Sequence, residues 1–565
     1  MESSNYWAQG RSFSRRSVLR SAALGGTGLA ADALIGCGGG SKDTKPSTAA
    51  TTAPGASPAA VTVKKGGRLA IQLAVDASTF DMRTTSNVAA NYPAGLAFNQ
   101  LVQFDPLIGN EKPDGIIPDL ATKWEIAPDG LKYTFTLVEN AKFHDGTPFT
   151  AEDAKVTLES NWKPPKGLVS IKALQLEAIK SFEAPDAKTL VINLSRPMSR
   201  LSLLPILGQG LMPIYSKKDI AANFDFKTKM NGTGPYRFRE YVKGNRLSFD
   251  KNKEYFVPDR PHMDGVDIFV IPDEATALAN VQSGSLDIYN RLSMDNLEQL
   301  KKVMGDKATY TSGVGAYKNT GFTVNVKKAP WTDERVRLAI TLATDKSAAL
   351  QILDRGSGDI GGFMPPKGLW SLSPQELAAV SGYQAYNDAM LAEAKKLLAA
   401  AGVPSGTKTL ILARDEAQFR DSAAFLVEQL AKVGIQAKPD VVSAAEVNTK
   451  SGKGDFDLYA TGSSFAMDDP DAVFAEFYLS NSSGNVSGIS DKVLDDLYLK
   501  QSVEQDQQKR IELVKEMQKR GLAQYGRVVF YWERRQAVVN KRVKNYVLHT
   551  SNLNNSRYQD VWLGA

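Results

Sequence analysis

Between residues 389 and 464 the chain alternates helix and strand with little between them. "AMLAEAKKLLAAAG" has apolar residues at helical spacing and ends on Gly402, and "DSAAFLVEQLAKVG" repeats that pattern. "KTLILAR", "IQAKPDVV" and "DFDLYATGSS" read as strands. Parallel neighbours need a crossover, and a helix supplies it, so this alternation demands a partly parallel sheet with helices on its faces.

The rest of the body is mixed. "GGRLAIQLAVD" alternates as a strand, and "LKYTFTLVENAKFHDGTPF" reads as two short strand runs broken at Asn140 and at an Asp145-Gly146 turn. "TAEDAKVTLESNW" starts a helix capped by Thr150, with Asp153 where a capping box needs an acid. "GTGPYRFREYVKGNRLSFDKN" is a hairpin turning at Gly244-Asn245, and "VDIFVIPDEATALANVQSGSLDIYN" is strand, helix and strand with Gly284 as the stop. "PWTDERVRLAITLATDK" is a helix that Thr332 can cap. "VLDDLYLKQSVEQDQQKRIELVKEMQKRGLAQ" reads as two helices, and "RVVFYWERRQAVV" as the last long strand. The fold class is therefore α/β, with an antiparallel region near 130–250.

Cys37 is the only cysteine in 565 residues, so no intramolecular disulfide exists and the core alone must hold the body. A 42% hydrophobic share suits that, and a net charge of +6 with interspersed signs gives no case for nucleic acid. The cysteine closes an unusual head. Arg15-Arg16 precede a short run of Ala, Gly and Leu that carries Asp32, too short and too polar for a span of ~20 residues. Ser14 to Leu19 resembles a twin-arginine export motif, and Leu34-Ile35-Gly36-Cys37 resembles a lipobox. Residues 1–36 are thus expected to be an export signal and 37–64 a lipidated Cys37 with a flexible Gly/Ser/Thr/Pro tether. That places the body outside the cytoplasmic membrane, held by its lipid.

Five segments then occur in a telling order: "PDLATKWEIAPDGLKYTFTLVENAKFHDGTPFTAEDAKVTL", "GTGPYRF", "PDEATALANVQSGSLDI", "APWTDERVRLAITLATDK" and "GDFDLYATGSSFAMDDPDAVF". From about residue 66 to 550 the chain resembles the solute-binding proteins of ATP-binding-cassette importers, in the large dipeptide and oligopeptide class called family 5. The resemblance implies a periplasmic-binding-protein-like fold of two hinged lobes with a smaller third domain. It implies a discontinuous first lobe (65–105, 232–324 and 536–565), an accessory domain (106–231) and a second lobe (325–535). It also implies a monomeric receptor without cofactor or metal, whose partners are a small solute or short peptide and an importer permease.

Family members lay a peptide between extended segments of the two lobes, where main-chain hydrogen bonds make recognition sequence-tolerant. Those segments map here to Ser86, Asn87 and Val88, and to Ser463, Ser464 and Phe465. Peptide binders commonly carry an aspartate four residues before the proline of the second segment, to pair with the α-ammonium. Here that position is Ala466, and Asp468 is the nearest acid that can take the role. An oligosaccharide or another non-peptide solute therefore gains weight as ligand. Trp370, in the loop "PPKGLWSLSP", offers a stacking face, and Arg414, after "TLILA", offers a cation to an anion.

A secreted hydrolase is the rival class. His144, His262 and His549 are the only histidines, and no HExxH or other zinc spacing occurs, so no catalytic residue is assigned. Asp468, Asp469 and Asp471 read as a helix start. Gly232 to Tyr236 lacks the Lys-Ser/Thr of a phosphate loop, and Arg335 and Arg337 read as salt-bridge partners on their helix.

Overall fold

The computed structural model describes residues 63–565 apart from Ala466, Ser483, Asn552, Asn555 and Ala565. The expectations resting on Arg15, Arg16, Cys37 and Ala466 lie outside those residues. Residues Lys64–Ala565 form one compact unit.

Its spine is a ten-stranded sheet. At one end Lys408–Arg414 lies parallel to both Gln436–Val442 and Leu458–Ser464, with the helix Asp388–Ala400 leading into it. This is the parallel part that the alternation demands, its two crossovers being Ala417–Ala431 and Ala444–Lys453. At the other end Arg68–Leu73 pairs in parallel with Gly265–Val270, and the hairpin Tyr236–Val242/Arg246–Lys251 completes the edge. Two long strands, Ala308–Val324 and Arg527–Asn540, run antiparallel through the centre and join both ends.

Along these two strands the pairing changes partners. Residues 308–311 pair with 537–540, whereas 319–323 pair with 527–532, and register shifts fall between Thr311 and Val314 and between Gly315 and Asn319. Bulges bend and twist a strand where they occur. Each side of the bend buries its own core. Leu69, Ile71, Phe98, Tyr236, Ile268 and Val539 pack with the helix Val88–Ala97 on one side. Phe322, Ile340, Ile411, Leu426, Leu458 and Phe530 pack on the other. A separate four-stranded antiparallel sheet, Ala121–Ile126, Lys132–Leu137, Thr189–Leu194 and Ile179–Asp186, carries the helix Ala151–Trp162 and forms the smaller third part. The two-lobed α/β fold with an added domain is thereby present.

Local chemistry follows the sequence closely. Thr150 and Asp153 form the capping box, Gly284 ends its helix at φ 79°, and the two C-terminal helices are Lys492–Val503 and Gln507–Leu522. Three details differ. The helix Glu334–Ala343 is capped by the Asp333 side chain on the Arg335 N–H rather than by Thr332, because the carboxylate one residue later reaches that amide. Arg337 donates to the carbonyls of Trp331, Thr332 and Gln524 rather than to an acid. The run after Asn140 closes around Asp145-Gly146 with a single bridge, Lys142 to Pro148, rather than as a second strand.

Gly232 and Gly234 are fixed by packing. A Cβ on Gly232 would meet the Ala97 carbonyl oxygen at 2.0 Å, and one on Gly234 the Ala97 carbonyl carbon at 2.4 Å. The loop locks onto the end of the Val88–Ala97 helix through the Gly234 N–H to the Ala97 carbonyl.

Candidate ligand-binding site

The bend in the two long strands leaves a cleft of about 450 Å³. Its floor is Ala316, Tyr317 and Lys318 from one strand and Glu533 to Gln536 from the other. One wall is built by the end of the first strand (Gln72, Leu73), the first turn of the helix after it (Val88, Tyr92) and the segment Asn290 to Met294. The opposite wall is the loop Leu353 to Arg355 with Ser357, together with Ser464. A second chamber of about 330 Å³ shares Ala316, Tyr317, Glu533, Arg534 and Thr550 with the first, and adds Asp359, Pro365 to Gly368, Asp468 and Trp532. Concave sites of this size, lined from two lobes, hold small solutes.

Most floor charges are already satisfied. Lys318 pairs with Glu533 at 2.8 Å, and Gln418 donates to the same carboxylate at 2.6 Å. Arg534 makes a bidentate pair with Asp359 at 2.7 and 2.8 Å, and Lys367 joins it at 2.8 Å. Two carboxyl groups are not so placed. The Oδ2 of Asp354 and the Oδ1 of Asp468 are buried without a hydrogen-bond partner. Burial raises Asp354 to about 7, helped by the Glu533 charge. Burial and then the neighbouring Asp469 raise Asp468 to about 7. An unpaired buried acceptor is costly, and the neutral form of each carboxyl lessens that cost.

Of the residues expected to touch ligand, Val88 and Ser464 line the larger chamber and Asp468 the smaller. Ser86 is exposed beside Val88. Asn87 spends its side-chain oxygen as the helix N-cap, accepting from the Ala89 N–H at 2.8 Å. Ser463 is buried, its amide on the Asn319 side chain and its hydroxyl held by Arg527.

Three expectations need correction. Trp370 has no exposed surface: its N–H donates to the Asp468 carbonyl at 2.8 Å, so the ring has no free face for a solute. Phe465, just past the strand Leu458–Ser464 and held by its N–H on the Tyr317 carbonyl, is stacked on Trp532 at 5.7 Å and edge-on to Phe477 at 5.4 Å inside a core. Arg414 lies at the end of Lys408–Arg414, away from both chambers, near Glu416 and over the Phe419 ring.

The sequence reading missed Tyr92, Asn290, Tyr317, Asp354, Glu533 and Arg535. One signal was there: the run Glu533-Arg534-Arg535-Gln536 interrupts the apolar strand "RVVFYWERRQAVV" at its middle. Charges at the centre of a buried strand need a reason. None of the three histidines lines either chamber. His144 contacts the Gly234 carbonyl at 3.0 Å, and burial lowers it to about 4. Asp469 caps the helix Pro470–Phe477, with Asp471 in its first turn, and both face the buried Arg510. Among the described residues no group of three His, Cys, Asp or Glu could hold a metal, and no helix is long and apolar enough to cross a membrane.

Comparison with known proteins gives a consistent picture. The family profile described as bacterial extracellular solute-binding proteins, family 5 Middle, matches residues 115–485. The chain is 25% identical over 493 residues to the probable D,D-dipeptide-binding periplasmic protein DdpA of Escherichia coli K12, covering 85% of this chain and 91% of that one. The structure of the Helicobacter pylori periplasmic binding protein DppA in complex with the peptide STSA superposes with a TM-score of 0.76 at 24% identity, covering 89% and 99% of the two chains. The binding protein AgaA of A. tumefacien R10, in complex with agropinic acid, superposes with a TM-score of 0.76 at 26% identity, covering 88% and 99%.

Proposed function

The chain belongs to the bacterial extracellular solute-binding proteins of family 5, and on that premise we propose that it captures a small solute of the peptide class between its lobes and delivers it to an ATP-binding-cassette importer. The observation that carries this reading is the two-chambered cleft at the bend of the shared strands, with the carboxyl residues Asp354 and Asp468 among its lining. A hinge near Gly315 to Lys318, where the register shifts, lets the lobes close. The first lobe is read as 65–105, 232–324 and 536–565, the second as 325–535, and the accessory domain as 106–231.

Asp468 suits a ligand amine, since a charge-assisted bond compensates its burial. Ser464 and Val88 offer main-chain groups from opposite lobes, and Ser86 and Asn87 extend that segment. A non-peptide solute is the second reading, favoured by the likeness to a protein solved with agropinic acid.

Binding is reversible and without turnover. Arg15-Arg16 route the chain for export, and Cys37 becomes its acylated, membrane-anchored first residue, so that a monomeric receptor works on the outer face. Mass spectrometry of what co-purifies with the full chain, followed by calorimetry with that compound, tests the capture. One-to-one binding with the compound recovered intact is expected, and a chemically altered product would overturn it. Cys37→Ser is expected to release the chain from the membrane fraction. Retention would overturn the anchor.

A further inference from the structure

The accessory segment 106–231 is joined to the first lobe through a shared core. The strand Val102–Phe104 pairs with Ile116–Pro118 across the boundary. Leu211, Tyr215, Phe226 and Met230 pack into the same core as Leu69 and Ile71. The Tyr215 hydroxyl accepts from the Met82 N–H at 2.7 Å and donates to the Phe80 carbonyl at 3.2 Å. Arg557 and Asp119, both buried, pair at 2.8 Å. A buried apolar joint of this kind moves as one body.

Toward the second lobe the same segment makes a different contact. The turn Leu174–Leu176 lies against the helix Pro470–Phe477. Beside it the bonds are polar. The Ser199 N–H donates to the Ser502 carbonyl at 3.1 Å, Arg196 donates to the Ser502 hydroxyl at 2.9 Å, and Arg510 donates to the Ser202 hydroxyl at 2.7 Å. Ser199, Ser202, Ser502 and Arg510 are buried, and none of them lines either chamber of the cleft. We propose that the turn from Ser199 to Ser202 is a latch, which grips the second lobe when the lobes close and releases it when they open.

The bonding around Arg510 supports this. Its Nε donates to Gln501 at 3.0 Å, its guanidinium pairs with Asp469 at 3.1 Å, and the Trp370 ring covers it at 4.6 Å. All three partners belong to the second lobe. Ser202 comes from the accessory segment: its hydroxyl accepts from Arg510 and donates to Asp469 at 3.5 Å. A polar contact of this kind exchanges its bonds for bonds to water at a modest net cost, so it can part where the apolar joint cannot. The latch also touches the cleft through adjacent residues. Asp469 meets Ser202, while Asp468 lines the smaller chamber, and Trp370 holds both through its N–H on the Asp468 carbonyl and its ring on Arg510. Solute at Asp468 and Ser202 at Arg510 therefore favour the same closed arrangement.

This inference rests on the two hinged lobes of the proposed receptor, and one experiment separates the two. Cys37 is the only cysteine, so Cys37→Ser with Lys166→Cys and Lys492→Cys carries two spin labels, one on the accessory segment and one on the second lobe, both at exposed positions. Double electron–electron resonance measures their separation in the full chain, as purified and after co-purified solute is stripped by unfolding and refolding. Two separations are expected, the shorter one favoured as purified. Ser202→Ala removes only a hydroxyl and is expected to raise the ratio of long to short about fivefold in the stripped chain. Arg196→Gln, at the half-buried end of the contact, is expected to shift the ratio the same way, which keeps the test valid if one variant folds poorly. A ratio unchanged in both variants, or a stripped wild-type chain that shows the long separation alone, would overturn the latch and leave the hinged receptor intact. A single separation in every sample would overturn the hinge and the latch with it.

Discussion

The Trp370 indole N–H donates to the backbone carbonyl of Asp468 at 2.8 Å, and the same ring carries the Arg510 guanidinium at 4.6 Å. Arg510 is fully buried and pairs with Asp469 at 3.1 Å, so the indole closes over an ion pair that water does not reach. Trp370 therefore holds the Asp468 loop and shields a charge cluster.

From this, Trp370→Phe is expected to lose about 1 kcal/mol, the net value of one buried hydrogen bond. Trp370→Ala is expected to lose about 3–5 kcal/mol. Urea unfolding measures both. The folded Phe variant should keep its affinity for solute; a variant with normal stability and lost affinity would place the ring in the site instead.

Asp468 makes stability depend on pH. Its folded value is about 7, against ~3.9 in an unfolded chain. Between those values the folded state holds more protons, so this group's contribution falls as pH rises from about 4 to 7 and is flat above. Asp468→Asn removes the dependence and can still accept from the Leu369 amide. Without solute, the wild-type melting temperature is expected to drop relative to the variant between pH 5 and 7.5, by an equivalent of at most a few kcal/mol. His144, His262 and His549, each lowered to about 4 by burial, act in the opposite direction below about pH 6.5. The difference between the two proteins, rather than either curve alone, is the diagnostic.

Arg355, at the end of the helix Lys346–Leu353, pairs with Asp295, in the first turn of Met294–Met304. Arg355 lines one wall of the cleft and Asp295 directly follows Met294 of the facing wall, so the pair spans the cleft. Both side chains are more than half exposed, 61% and 59%, which limits the pair to under about 1 kcal/mol. Asp295→Asn is expected to speed solute release by less than about fivefold at low salt, with the effect fading at high salt. Stopped-flow release measures it, and a salt-independent effect would exclude the ion pair as its source.

Gly234→Ala tests the loop that packs on the end of the Val88–Ala97 helix. Its Cβ would lie 2.5 Å from the Leu96 carbonyl oxygen as well as 2.4 Å from the Ala97 carbonyl carbon, and neither is a flexible end. Overpacking against backbone is expected to cost about 1–3 kcal/mol or more in thermal or urea unfolding. An unchanged melting temperature would show that the loop stands clear of the helix.

What the sequence determined by itself was local. Period and punctuation placed the parallel units at 388–464, the capping box at Thr150, the stop at Gly284 and the last long strand, because turn and cap chemistry acts over three or four residues. Family-specific segments then gave the lobed fold. Val88, Ser464 and Asp468, singled out through that resemblance, line the two chambers. Only the tertiary structure decided which aromatic faces inward and which charge is already paired. Trp370 and Phe465 look like solute platforms until the core closes on them, and Arg414 looks free until Glu416 and Phe419 lie beside it. Tyr92, Asn290 and Arg535 are far apart in the chain, and nothing local marks them as neighbours. They meet because two strands that span both lobes bend where their register shifts, and the bend brings the side chains of distant segments into one cleft.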